Sequence, residues 1–263
     1  MNIRMIALDV DGTLLNDHHE LTPRVREAVR EAAKRGAEIV LCTGRGSTSA
    51  LPVLRELGLK GTMITHNGAS VVDSESRAIL FDTAIPHDLA SVYVNYCRER
   101  GIHFDMNTAF DLYVEALGEE AGTMYRNLKA QPINRDKEEA FPEGLVKLSI
   151  YAPKEVMDGV EAEWGKWKQE LQFVRSGDNF IDVQSHDATK GKALERLAAM
   201  RGISRASILA LGNYYNDLGM IDFAGTGVAM DNSPSEVKER ADAVTLSNNE
   251  DGVAVALEEY VLL

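Results

Sequence analysis

Ile6-Ala7-Leu8-Asp9-Val10-Asp11-Gly12-Thr13 places a short apolar run directly ahead of two carboxylates, a glycine and a threonine. The run reads as a first strand over residues 3–8, which puts Asp9 and Asp11 at its C-terminal end. In open α/β sheets that end is where ligands bind. Alternation along an extended chain sends residues i and i+2 to the same side, so both carboxylates can address one site. Gly12 lets the chain turn sharply behind them. Two acids this close repel unless a cation or a shared proton compensates. The stretch therefore predicts a metal-assisted reaction on an anion.

Working outward, the first third reads as βαβαβ. Thr22-Pro23 opens a helix with an N-cap and a proline at its first position. Val25, Val29 and Ala32 give it an apolar stripe, and Gly36 ends it. A second buried strand is expected over residues 38–42, a helix over 47–57 stopped by Gly58, and a third strand over 62–65. Asn67-Gly68 then leads into a hairpin of residues 69–72 and 78–81. The middle changes character. A helix over 86–100 is closed by Gly101, and residues 102–106 and 111–115 pair across Asn107-Thr108-Ala109. A polar helix over 117–129 and a loop with Pro132 and Pro142 follow. Then come a strand over 145–151, a helix over 154–170, and a hairpin over 172–184 that turns at Gly177-Asp178. From Thr189 the α/β rhythm resumes, with a helix over 190–201, strands over 207–211 and 227–230, and a helix over 216–223 between them. A helix capped by Ser233-Pro234, a strand over 243–245 and an amphipathic C-terminal helix complete it. The predicted fold is α/β, a Rossmann-like parallel-sheet core of residues 1–82 and 187–263. An α+β domain, αββ–αβ–αββ, is inserted at 83–186.

The chain has 263 residues, a net charge of −13 and a pI near 5.0. That balance lacks the basic patch of a nucleic-acid binder and would be repelled by an anionic membrane. An anionic substrate would need a local cationic site against this field; otherwise the acidity simply serves solubility. Cys42 and Cys97 are the only cysteines, which fits a reducing compartment rather than a disulfide scaffold. Met1-Asn2-Ile3-Arg4 carries no signal-peptide core, and no segment approaches ~20 consecutive apolar residues. The expectation is a cytoplasmic protein.

Four signals fall just after expected core strands or at a helix opening: Asp9-Val10-Asp11-Gly12-Thr13, Thr43-Gly44-Arg45, Lys190-Gly191, and Gly212-Asn213-Tyr214-Tyr215-Asn216-Asp217. Taken singly, each has a plain structural reading. They could be a solvated turn, an N-capped turn, a surface lysine and a polar loop capping a helix. In this order they resemble the haloacid dehalogenase superfamily, and more closely its Cof-type phosphatases with a C2B cap. Asn67-Gly68-Ala69, Gly227-Val228-Ala229-Met230-Asp231-Asn232 and Asp251-Gly252-Val253 extend the resemblance over nearly the whole chain.

The resemblance implies a Mg²⁺-dependent phosphatase acting on a small phosphomonoester: a sugar phosphate, a phosphorylated cofactor or a nucleotide. Asp9 would be the nucleophile, forming an aspartyl-phosphate and splitting hydrolysis into two steps. Asp11 would protonate the leaving alkoxide and then activate water, while its backbone carbonyl ligates the metal. Mg²⁺, a hard ion that prefers oxygen, would be held by Asp9, Asp11, Asn213 and Asp217, the last through a bound water or by orienting Lys190. Val10, Thr43, Gly44, Lys190 and Asn216 would contact phosphate. Phosphoryl transfer is mostly positioning and charge stabilisation, which is why Lys190 matters. The cap helices and the loop over 130–141 would close on the leaving group.

One position departs from the pattern. Asn213 stands where the superfamily usually has an aspartate that ligates the metal. A neutral amide reaches equally far but removes a unit of charge, so weaker Mg²⁺ binding is expected. It reads as a tolerated ligand, as the mark of a weakened or non-catalytic phosphoester binder, or as a change that traps a complex. A phosphomutase using the same intermediate is the first alternative activity. A metal-dependent glycosyltransferase is a weaker one, since its Asp-x-Asp belongs mid-chain. Tyr214 and Tyr215 pack the loop or wall the entrance, Arg45 is a salt-bridge partner of the core or a substrate contact, and His66 is structural.

Overall fold

In the computed structural model, which describes residues 2–127, 130–168 and 170–263, the chain folds as two units. They divide between Phe81 and Asp82 and between Ala188 and Thr189. The first unit begins with β1 (Met5–Asp9), whose residues are all buried. Helix α1 (Pro23–Lys34) follows, capped by Thr22 Oγ1, which accepts from Val25 N at 3.3 Å. Its apolar stripe Val25, Ala28, Val29 and Ala32 is buried. Burying a valine there is worth about 1.5–3 kcal/mol, so Val29→Asp would detach the helix. β2 (Glu38–Cys42), α2 (Ser47–Glu56) and β3 (Thr62–Thr65) continue the parallel winding. The sequence then reverses in a hairpin of β4 (Ser70–Asp73) and β5 (Ile79–Asp82).

The second unit carries α3 (His87–Arg100), β6 (His103–Asn107), β7 (Leu112–Val114), α4 (Glu119–Asn127), β8 (Ile133–Asn134), β9 (Lys147–Tyr151), α5 (Lys154–Trp164), β10 (Gln172–Gly177) and β11 (Phe180–Gln184). Its sheet runs in the order β10-β11-β9-β6-β7-β8. Strand β8 lies in the stretch expected to be a loop. Its two residues pair in parallel with Tyr113 and Val114, a long-range contact with no local periodicity to announce it. Helix α5 stops at Trp164 rather than running to residue 170. Trp164 and Trp167 instead fold onto Tyr93 and Tyr96, with ring centroids 4.8–5.6 Å apart. The expected end of the polar helix at residue 129 lies outside the described residues.

The chain then returns to the first unit through α6 (Lys190–Arg201), β12 (Ile208–Gly212), α7 (Leu218–Phe223), β13 (Thr226–Ala229), α8 (Ser235–Arg240), β14 (Ala243–Val244) and α9 (Gly252–Leu257). A 3₁₀ turn, Tyr215–Asp217, precedes α7 where a continuous helix was expected. Together the strands form a sheet of order β14-β13-β12-β1-β2-β3-β4-β5. β1 is parallel to both β12 and β2. Early crossovers go one way from β1 and late ones the other, so the strand order reverses between β1 and β12. A crevice opens at the C-terminal ends of such a pair. Among the described residues no helix is long and apolar enough to cross a membrane.

Candidate active site

Asp9 closes β1, Thr43 follows β2 and Asn213 follows β12, so three of the four sequence signals meet at that crevice. The fourth, Lys190, arrives at the first turn of α6. Thr189 Oγ1 caps this helix by accepting from Lys192 N at 3.2 Å. A side chain at Gly191 would sit 2.5 Å from the Gly219 backbone, so only glycine lets α6 approach α7 closely enough.

Lys190 is 1% exposed, Asp9 5% and Asp217 0%. Lys190 Nζ donates to Asp9 Oδ1 at 2.7 Å and to Asp217 Oδ1 at 2.6 Å. Asp217 Oδ2 accepts from the backbone N–H groups of Asn213 and Tyr214 at 2.9 and 3.0 Å. Asp217 thus has both oxygens committed to Lys190 and the loop. This is the orienting arrangement that the resemblance gave as one of two roles for Asp217. Burial works against the Lys190 ammonium, yet the carboxylates of Asp9 and Asp217 outweigh it and hold the amine above the usual lysine range. Burial first, and the neighbouring Asp217 second, push the Asp9 carboxyl up to about 7 despite Lys190. An ammonium has three donors. Among the described residues Asp9 and Asp217 take two, and the third is available to an anionic oxygen.

The other oxygen of Asp9 faces Asn213. One atom of the Asn213 amide lies 3.1 Å from Asp9 Oδ2, 3.1 Å from the Asp11 carbonyl oxygen and 3.3 Å from Thr13 Oγ1. With Oδ1 in that place, Thr13 Oγ1 donates to it, and three oxygens from Asp9, Asp11 and Asn213 face one another. Octahedral ligands ~2.1 Å from Mg²⁺ stand ~3.0 Å apart. The donor set and its spacing therefore suit a hard divalent cation. The opposite amide atom needs Gly12, at φ +76°, where a Cβ would approach Asn213 Nδ2 to 2.4 Å.

The two carboxylates of the opening stretch part company. β1 ends at Asp9, so strict alternation does not reach Asp11. The half-exposed Asp11 side chain is gripped in fork geometry by Arg45, Nε at 2.8 Å and Nη2 at 2.5 Å, with His19 Nδ1 at 3.7 Å. Arg45 is thus the partner of a site residue and not of the core. Val10 is fully buried, and its carbonyl accepts from the Leu14 and Leu15 amides.

A second cluster surrounds Thr43. Its buried hydroxyl accepts from Arg45 N at 3.1 Å, and its carbonyl accepts from Asn67 N at 3.0 Å. Asn67 Oδ1 accepts from Asn216 Nδ2 at 3.0 Å and lies against Gly44, where a Cβ would be 3.1 Å away. Asn67 sits in the left-handed region at φ 57°, tolerable for asparagine. The sequence reading gave Asn67-Gly68 as a turn and as part of the family resemblance, and assigned it no role at the site. Its place directly behind β3, at the same edge as the other signals, was the clue that it belongs to the site. Tyr214 and Tyr215 do not pack inward. They are 54% and 47% exposed, with rings edge to face at 5.0 Å, and Tyr215 OH donates to Glu236 at 2.5 Å.

The model of the haloacid dehalogenase-like hydrolases matches residues 6–257. The chain belongs to that family, and it is an enzyme of it, a phosphohydrolase. It is 35% identical to YxeH of Bacillus subtilis strain 168, over 98% of each chain. It is 29% identical to the 5-amino-6-(5-phospho-D-ribitylamino)uracil phosphatase YcsE of the same organism, over 100% of this chain and 97% of that one. Among solved structures, the HAD subclass IIB sugar phosphatase BT4131 is similar, with a TM-score of 0.80 and 25% identity over 99% of this chain and 100% of that one.

Proposed function

We propose that this protein is a Mg²⁺-dependent phosphatase that hydrolyses a small phosphomonoester through an aspartyl-phosphate on Asp9. The observation that carries the reading is the buried Lys190 ammonium shared by Asp9 and Asp217 at the sheet's switch point. It provides a fixed positive charge beside a carboxylate nucleophile. Asp9 attacks phosphorus, the bond to the leaving oxygen breaks, and Asp11 gives that oxygen its proton. Water then attacks the acyl-phosphate, Asp11 takes the proton, and inorganic phosphate leaves as the Asp9 carboxylate is restored. Lys190, the Thr43 hydroxyl and the Val10 and Gly44 amides hold the phosphoryl oxygens, and Asn216 is placed beside them by Asn67. Asp217 aims Lys190. Asp9, the Asp11 carbonyl and Asn213 would hold Mg²⁺, which offsets the charge between Asp9 and an anionic substrate.

The Arg45 fork holds the Asp11 side chain, and that pair must loosen for Asp11 to give the leaving oxygen its proton. The substrate class proposed is a sugar phosphate, a phosphorylated cofactor or a nucleotide. The names of the sugar phosphatase and of the ribitylaminouracil phosphatase support a small phosphorylated metabolite; a cytoplasmic setting is proposed with it. No nucleic-acid or membrane partner is proposed.

The test is phosphate release from a metabolite panel with titrated Mg²⁺ in isotopically labelled water. Label in the released phosphate, lost in Asp9→Asn, is expected. Phosphoryl migration without label would assign a phosphomutase instead. Asn213 favours a second reading, a phosphoester binder without turnover. That reading predicts binding with no phosphate release at any Mg²⁺ concentration, and activity first appearing in Asn213→Asp.

A further inference from the structure

The Asn213 amide touches both Asp9 Oδ2 and the Asp11 carbonyl oxygen of the proposed cation cradle. The amide atom facing Asp9 Oδ2 and the Asp11 carbonyl, both at 3.1 Å, meets acceptors only, apart from a Thr13 hydroxyl able to play either part. An oxygen in that place is left facing oxygens, whereas an NH₂ group donates to them. We propose that Asn213 is a two-position latch. Its NH₂ group stands in for the cation by bonding Asp9 Oδ2 and the Asp11 carbonyl, and the amide turns over to present Oδ1 when the cation binds. The inference deepens the phosphatase reading and rests on its cation site.

Three features make the switch local. The Asn213 backbone N–H is pinned to Asp217 Oδ2 at 2.9 Å, so only the side-chain amide needs to turn. That torsion joins an sp³ to an sp² carbon and is soft and roughly two-fold. The Thr13 hydroxyl serves both positions, since it can accept from NH₂ and donate to Oδ1. An aspartate here could not do the same. An ionised carboxylate is acceptor-only and would set a second negative charge ~3 Å from Asp9, a repulsion that a cation or a shared proton must relieve. The neutral amide therefore trades cation affinity for a cradle that is hydrogen-bonded when empty. Asn213→Asp should reverse that trade, with opposite signs for the two states.

The test uses the full chain and Mg²⁺ alone as probe, with no substrate. Thermal melts in chelator and calorimetric Mg²⁺ titrations are compared for the native protein, Asn213→Asp and Asn213→Ala. In Asn213→Asp, the metal-free melting temperature should fall by about 5 °C, while Mg²⁺ binds at least about tenfold tighter because ligand charge rises. Asn213→Ala should lose on both counts, melting lower in chelator and binding Mg²⁺ more weakly. In the native protein the Asn213 side-chain amide proton resonances should be protected from exchange in chelator and should lose that protection with Mg²⁺. A metal-free Asn213→Asp as stable as the native protein, or an unchanged Mg²⁺ affinity, overturns the latch. Because none of these measurements involves turnover, that failure is distinct from an absence of phosphatase activity.

Discussion

Asp9 and Asp105 are equally buried, each 5% exposed, and burial is the largest cause that raises both carboxyls, to about 7 and about 6. Their partners differ. In the first unit Asp9 shares one ammonium with Asp217, and its second oxygen faces the Asn213 amide, with the Thr13 hydroxyl also bonding the carboxylate. In the second unit Asp105 is hydrogen-bonded by neutral donors, with the Lys147 charge acting on it without a direct bond. Asn107 Nδ2 donates to Oδ1 at 2.5 Å and Tyr125 OH to Oδ2 at 2.9 Å, with His103 Nε2 2.8 Å from that hydroxyl. Burial lowers the His103 pKa, and an Nε2–H there can donate to the tyrosine hydroxyl while that hydroxyl donates to Asp105. The difference teaches that a perturbed carboxylate alone does not mark a reacting centre. What marks one is hydrogen-bonding and charge capacity still open to a substrate, and Asp105 has little left.

The largest effect should come from removing the shared cation. Lys190→Met leaves two buried carboxylates in contact with nothing to offset them, a loss of about 3–5 kcal/mol. Turnover should fall by about 10³-fold or more. Denaturant titration by circular dichroism together with phosphate release measures both. A variant of native stability would mean that Asp9 and Asp217 do not depend on the cation, and the contrast with Asp105 would collapse.

Asp105→Asn is predicted to have a smaller, pH-specific effect. Its folded pKa of about 6 lies above the ordinary 3.8, so the folded state holds more protons between those values. Stability of the second unit therefore falls as pH rises from about 4 to 6 and levels off above, by on the order of 3 kcal/mol in all. Asp105→Asn should abolish that slope. Both tryptophans, Trp164 and Trp167, lie in this unit, so tryptophan fluorescence during denaturation reads it selectively. A slope that survives in the variant would place its origin elsewhere.

Tyr125→Phe sharpens the same comparison with the smallest change. It removes one donor from a buried carboxylate at a cost of about 1–2 kcal/mol. It also leaves Asp105 easier to protonate, so the fall in stability should extend above pH 6. If the window stays where it is, the Tyr125 bond does not hold the Asp105 carboxylate.

Much of the fold was legible because its signals are local. Buried strands such as Met5–Asp9 and Ile208–Gly212 are apolar runs, and Thr22 and Thr189 announce helices by the hydrogen bonds they offer. Strand β8 was not legible, since it exists only through its pairing with β7. The early end of α5 falls at Gly165, its C-cap, just behind Trp164, which packs on Tyr93 and Tyr96 of a distant helix.

The site divides along the same line. Sequence alone determined which chemical groups reach the crevice: Asp9, Thr43, Lys190 and Asn213 each sit at the end of a strand or the start of a helix, where local patterning fixes their address. Only the tertiary structure decided which group faces which. It gave the Asp11 side chain to Arg45, drew Asn67 in beside Gly44 and Asn216, committed Asp217 to Lys190 and the loop amides, and set the Asn213 amide against two acceptors. Those pairings join residues up to 204 positions apart, as Asp9 and Asn213 are. They depend on angles and distances of a few tenths of an ångström, which strand and helix periodicity do not encode.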